Sequence, residues 1–336
     1  MFASPAVAGN LLFIGSCSGI CYALDKNTGE EVWTYDAQGK SFHGDPILTD
    51  DLLIIPTDDS YYEGSVGPLL AIQRSSGELQ WRYDITSKTQ LGCGVTTDLR
   101  FHEGRILGVT TTDQLICLDS QTGKLLWEFV GEFDPETNYW NSSPAILDTL
   151  VFFGCLNGKA YCFNIVNGEI LWTNDLGSRV SASVVIADNN VCFGTVDGNI
   201  HTLSPASGET ISQLPLDGIP VFKMTARGNS LLVLTADDQF SPGASAILSV
   251  DVVLDSVTWR LSSSADTPWS IKKPYLYKNY VIAGDGDGVV SLIDAESGEI
   301  EWDFAVEGEV RSVGVTEDVL YIGTIQGMVY AVRVNF

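Results

Sequence analysis

Ala23-Leu24-Asp25-Lys26-Asn27-Thr28-Gly29-Glu30-Glu31-Val32-Trp33 is the stretch on which the fold turns. An apolar strand runs to an Asp, a short polar turn brings a Gly four residues later, and a second strand places an indole four residues beyond that Gly. Gly supplies the positive φ of a tight turn, and Trp is a large ring that a strand can lay on a neighbouring layer. The phrase returns at Ala71 to Trp81, Cys117 to Trp127, Cys162 to Trp172 and Leu292 to Trp302. It decays at Thr202 to Ser212, where Trp has become Ser, and at Ser249 to Trp259, where Gly has become Asp255. Trp33, Trp81, Trp127, Trp172, Trp259 and Trp302 are separated by 48, 46, 45, 87 and 43 residues, the 87 being two periods with one Trp missing. A period near 45 residues is that of four-stranded propeller blades, about 40–50 residues each.

Two more strands precede each phrase. In the fifth repeat they are Ala182 to Ile186 and Val191 to Thr195, followed by the turn Val196-Asp197-Gly198 and the strand Asn199 to Leu203. The expected architecture is one all-β domain over residues 1–336, an eight-bladed β-propeller of four-stranded antiparallel blades closed by tryptophan-docking motifs. The blades are expected near 2–36, 37–84, 88–130, 139–175, 178–214, 218–262, 265–305 and 308–336. The last is expected to hold three strands, Val310 to Val315, Leu320 to Thr324 and Met328 to Val334, with the outermost missing.

Charge bounds the partners. With 18 basic and 43 acidic side chains the formal net charge is −25, which disfavours nucleic acid, whose phosphates are held by Lys and Arg, and anionic membrane surfaces. No apolar run approaches the roughly 20 residues that cross a bilayer. The start, Met1-Phe2-Ala3-Ser4-Pro5, has neither the charged nor the apolar region of a signal peptide. Together with an odd number of cysteines, seven, this favours a cytoplasmic protein, or an extracytoplasmic one if the N-terminus was trimmed.

The phrase Ala-x-Asp-x-x-x-Gly-x-x-x-Trp resembles the tryptophan-docking motif of the pyrroloquinoline quinone (PQQ) propeller superfamily, and its seven copies cover essentially the whole chain. The resemblance implies an eight-bladed propeller. It leaves function open, because the superfamily includes quinoprotein dehydrogenases, BamB-like scaffolds of outer-membrane assembly and sensor domains of kinases. The dehydrogenases carry two adjacent cysteines over the quinone, and Cys17, Cys21, Cys93, Cys117, Cys155, Cys162 and Cys192 contain no such pair. Five of them (Cys17, Cys21, Cys117, Cys162, Cys192) fall in or beside apolar strands, as core thiols do. With three histidines, His43, His102 and His201, no metal site is expected. The acid pairs Asp58-Asp59 and Asp237-Asp238 read as solvated loop residues rather than calcium ligands.

Because blades repeat, equivalent positions can be compared within one chain. Counting back twelve residues from the end of each second strand gives Ala3, Gly44, Ser142, Ala182, Lys223, Lys272 and Arg311. The last three are cations in consecutive blades, and clustered Lys and Arg recognise carboxylate or phosphate. Trp140, with Tyr139 and Asn141, and Trp269 precede innermost strands, where rings beside cations suit a planar anion. His43 and Arg179 occupy comparable positions. The chain is therefore expected to be a monomeric, non-catalytic binding or scaffolding propeller, taking a protein partner or a small anionic ligand in its funnel. The alternatives are a PQQ-dependent oxidoreductase with calcium, in which Lys223, Lys272 and Arg311 hold the quinone carboxylates and Trp140 or Trp269 stacks on its ring, and a sensor domain of a larger receptor.

Overall fold

The computed structural model describes residues 3–59, 65–86, 93–95, 97–131, 142–236, 245–263, 269 and 275–334, with the backbone alone at Cys93. All regular structure within them is β. The eight blades of the propeller fold run in chain order, seven of four antiparallel strands and a last blade of three. The backbone divides into two compact units, 1–130 with 311–336, and 131–310. The first carries blades one, two, three and eight, and the second carries blades four to seven. No helix among the described residues is long and apolar enough to cross a membrane.

Blade one shows how the phrase folds. Its strands are Ala6–Ala8, Leu11–Gly15, Ile20–Asp25 and Glu31–Asp36, paired in sequence order. Asp25 Oδ1 accepts the amides of Asn27 and Thr28 at 2.8 and 3.0 Å, and Gly29, with φ 75°, donates its N–H to the Asp25 carbonyl at 2.8 Å. Asp119, Asp251 and Asp294 organise the same turn in their blades.

The fourth strand then does something that alternation alone does not anticipate. Ala23 pairs with Trp33 but Leu24 pairs with Glu31, so Val32 is an extra residue in a β-bulge. The same shift follows Ala71, Cys117, Cys162, Thr202, Ser249 and Leu292. A bulge lets two successive residues face outward: Glu31 and Val32 are exposed while Trp33 is buried. Trp33, Trp81 and Trp127 follow such a bulge and are buried.

Between blades of one unit, apolar side chains interleave. In the first unit, Phe13, Cys21, Ala23 and Trp33 of blade one pack with Phe42, Leu53, Ile55 and Leu70 of blade two. In the second, Cys192 and Ile200 of blade five pack with Met224, Val233 and Leu248 of blade six.

Candidate functional site

The docking positions form the most regular feature of the surface between blades. Trp33 Nε1 donates to the Arg74 carbonyl at 2.8 Å and Trp81 Nε1 to Ser120 at 2.9 Å, while Trp172 reaches Pro205 at 2.8 Å and Trp259 reaches Ala295 at 3.0 Å. Each acceptor directly follows the turn Asp, or its counterpart Gln73 or Ser204, in the next blade. Each ring lies on that turn's glycine: a Cβ built on Gly77, Gly123, Gly208 or Gly298 would approach the indole to 2.9, 2.5, 2.5 and 2.6 Å. Trp127 is buried like Trp33 and Trp81. Trp302 is 41% exposed and stacks on Phe304, with ring centroids 4.6 Å apart.

Blade one receives no indole. A Cβ on Gly29 meets nothing within 4 Å. Beside it opens a cleft of about 350 Å³ lined by Lys26, Asn27, Val319, Tyr321, Ala331 and Arg333, so it runs between the blade-one turn and the last strand of blade eight, Val329–Arg333. Among the described residues that strand pairs on one side only, with Val319–Thr324.

Of the expected basic residues, Lys223 belongs to the second unit and Arg311 to the first. Lys272, Trp140, Tyr139 and Asn141 lie outside the described residues. Lys223 is 6% exposed, an interior side chain rather than one standing in an open channel. Val221 and Val310 take matching places, each against the terminal glycine of the preceding blade's second strand, where a Cβ on Gly194 or Gly284 would lie 2.5 and 2.6 Å from them. Lys223 follows Val221 by two residues, with a bulge between, whereas Arg311 follows Val310 by one. Trp269 packs on the core cluster of blades six and seven, and its amide donates to Ser245 Oγ at 2.8 Å. Arg179 lines a cleft of about 510 Å³ in the second unit with Asn157, Asp175 and Ser178. Next to its Val196, the Asp197 carboxyl is held below the usual range: burial works to raise it, and hydrogen bonds from Thr195, Asn199 and Ser178 offset that.

His43 has acquired a definite partner. Its Nδ1 lies 2.9 Å from Asp58 Oδ2. The Asp58-Asp59 pair is not a solvated loop, because it forms a short strand with Cys93–Gly94 and Asp59 pairs with Lys40. The Asp237-Asp238 pair lies outside the described residues. No group of three or more His, Cys, Asp or Glu among the described residues is arranged to hold a metal ion.

A propeller built from indole-on-glycine docking defines a PQQ-like repeat protein. The model of the outer membrane protein assembly factor BamB family matches residues 2–210 and 244–335, and the chain belongs to that family. Similar proteins include BamB of Burkholderia pseudomallei, 26% identical over 256 residues that cover 70% of this chain and 62% of that protein. Less than two thirds of that relative's length is thus spanned. Among solved structures, BamB from Moraxella catarrhalis matches with a TM-score of 0.77 at 17% identity, covering 98% of this chain and 96% of that one. The quinohemoprotein alcohol dehydrogenase of Comamonas testosteroni matches with a TM-score of 0.71 at 13% identity, covering 96% and 70%. These likenesses show the shared fold.

The family also corrects the expectation of a cytoplasmic protein, because its members are named for assembly at the outer membrane. The signal that misled was the cysteines. Cys21, Cys117, Cys155, Cys162 and Cys192 are each fully buried, and for Cys21, Cys117, Cys162 and Cys192 burial pushes the thiol up to about 12. Such thiols report core packing and carry no information about compartment.

Proposed function

We propose that the protein is a non-catalytic propeller scaffold that binds a protein partner, in the sense that its relatives are named as assembly factors. The observation that carries this reading is the cleft beside Gly29, bounded by the last strand of blade eight, which among the described residues pairs only with Val319–Thr324. A strand edge is a template for another strand, and the neighbouring turn has the glycine and the carbonyl position, at Lys26, equivalent to those that receive an indole in four other blades. The matching ligand is an extended segment bearing a Trp opposite Ala331, the position equivalent to Ala23 opposite Trp33. The test is calorimetric titration with a ten-residue peptide carrying one central Trp, against the same peptide with Ala. Binding that weakens at least tenfold with Ala and is blocked by Gly29→Asn supports the reading. Equal binding of both peptides, or none, removes it.

The finer proposal, an anionic group held by Lys223, Lys272 and Arg311, rests on sequence spacing. It is tested by replacing all three with Gln and measuring binding of a dicarboxylate. The quinone reading is the weaker one, since the sequence has no two adjacent cysteines. Unchanged thermal stability and no retained absorbance after incubation with PQQ and calcium would end it.

A further inference from the structure

We propose that Cys17, His43 and Asp58 form a thiol-exchange site in the first unit, with Cys17 as nucleophile, His43 as its base, Asp58 as the group that orients the imidazole, and a small disulfide as substrate. The three residues come from separate segments. Cys17 is exposed in the turn between Leu11–Gly15 and Ile20–Asp25, His43 lies in the connection that opens blade two, and Asp58 stands on the short strand Asp58–Asp59. Backbone contacts hold them together: Ser41 Oγ donates to the Cys17 carbonyl at 2.9 Å, and Ser41 and Asp58 exchange amide bonds at 3.0 and 2.9 Å.

His43 Nδ1, 2.9 Å from Asp58 Oδ2, is committed to the carboxylate, which leaves Nε2 for the thiol. His43 hydrogen-bonds the Cys17 side chain, and although burial works to raise that thiol, the bond and charge of His43 help bring it below its ordinary value. The other charged groups at this place are the α-amino group, which also lowers the Cys17 thiol, and Lys40 and Asp59, which pair with each other. A nucleophile within reach of a base that is oriented by a third group is the general arrangement for nucleophilic chemistry. The remaining described cysteines are buried and fit none of these roles.

The step balances without a further reactant. His43 Nε2 takes the Cys17 proton, the thiolate attacks one sulfur of the disulfide, a new S–S bond forms at Cys17 as the old one breaks, and the departing thiolate recovers the proton from the imidazolium. The step itself ends at a mixed disulfide between Cys17 and one half of the substrate.

The neutral probe 4,4′-dithiodipyridine avoids repulsion by the acidic protein and releases an absorbing thiopyridone. The folded protein is expected to release one equivalent rapidly at pH 7, with the label on the peptide containing Cys17 by mass spectrometry. Cys17→Ser should remove that phase. His43→Gln should slow it about tenfold and move the midpoint of its pH profile up toward the ordinary thiol value of about 8.5. Asp58→Asn, which keeps the imidazole in place, should slow it less. A fast phase surviving Cys17→Ser, or wild-type rates and pH profiles in both other variants, would overturn the assignment. Circular dichroism on each variant separates a lost site from a lost fold.

Discussion

The indole of Trp172 lies on Gly208 so closely that a single added Cβ would sit 2.5 Å from the ring, while its Nε1 donates to the Pro205 carbonyl at 2.8 Å. Trp and Gly are therefore chosen as a pair, one in each of two blades. The sequence contains the complementary case. The one repeat that replaces its Trp, at Ser212, precedes the one repeat that replaces its turn Gly, at Asp255. Asp255 keeps the positive backbone angle, φ 52°, that the glycines have. Without an indole above, the Cβ is tolerated.

Gly208→Ala is expected to destabilise the protein by about 2–4 kcal/mol, from the clash with the ring and from the positive φ of 73°. Urea denaturation followed by Trp fluorescence measures it. A change under 1 kcal/mol would mean that the ring moves aside freely.

Trp33→Ala should cost about 3–5 kcal/mol, as expected for removing a large buried ring. Trp33→Phe keeps most of the apolar contact but loses the bond to the Arg74 carbonyl, and should cost less, with about 1 kcal/mol due to the bond itself.

The junction of blades five and six can be given the dock it lacks. Ser212→Trp alone should destabilise, because the indole meets the Cβ of Asp255. In an Asp255→Gly background the same change should be neutral or stabilising, with a coupling of about 1–3 kcal/mol. Additive effects in the double-mutant cycle would refute pairwise selection.

His201 supplies a pH dependence. It is 4% exposed with Nε2 buried and unbonded, and burial holds its pKa below 6.5, against a partial opposing pull from Asp197. The neutral ring is the folded form, so below the unfolded pKa the unfolded chain binds the extra proton. Stability is therefore full above about pH 6.5 and falls as the pH drops from there toward the lowered folded value. His201→Phe should flatten that limb in melting temperatures taken between pH 5 and 7.5; an unchanged slope would place the titration elsewhere.

How far the sequence speaks depends on the range of the interaction. The blades were readable because each is announced by local chemistry: the Asp25 side chain caps its own turn, Gly29 takes the positive φ, and Trp33 recurs at blade period. The bulge at Val32 was hidden, since one extra residue in a strand leaves no mark on composition. The arrangement of His43 with Asp58 was hidden too, because loop acids look alike until the backbone bridge from Ser41 aligns them.

The docking also has a direction, each blade leaning on the one that follows. Within the second unit this makes a row of fasteners with one missing, at Ser212 over Asp255, where the apolar packing of Cys192, Ile200, Met224 and Val233 and bonds such as Ser181 Oγ to the Val221 carbonyl hold the junction instead. Repeat proteins come apart at their weakest neighbour contact. This junction is the built-in fault line of the unit, the place where amide exchange should open first under stress, and its position was written by two substitutions 43 residues apart.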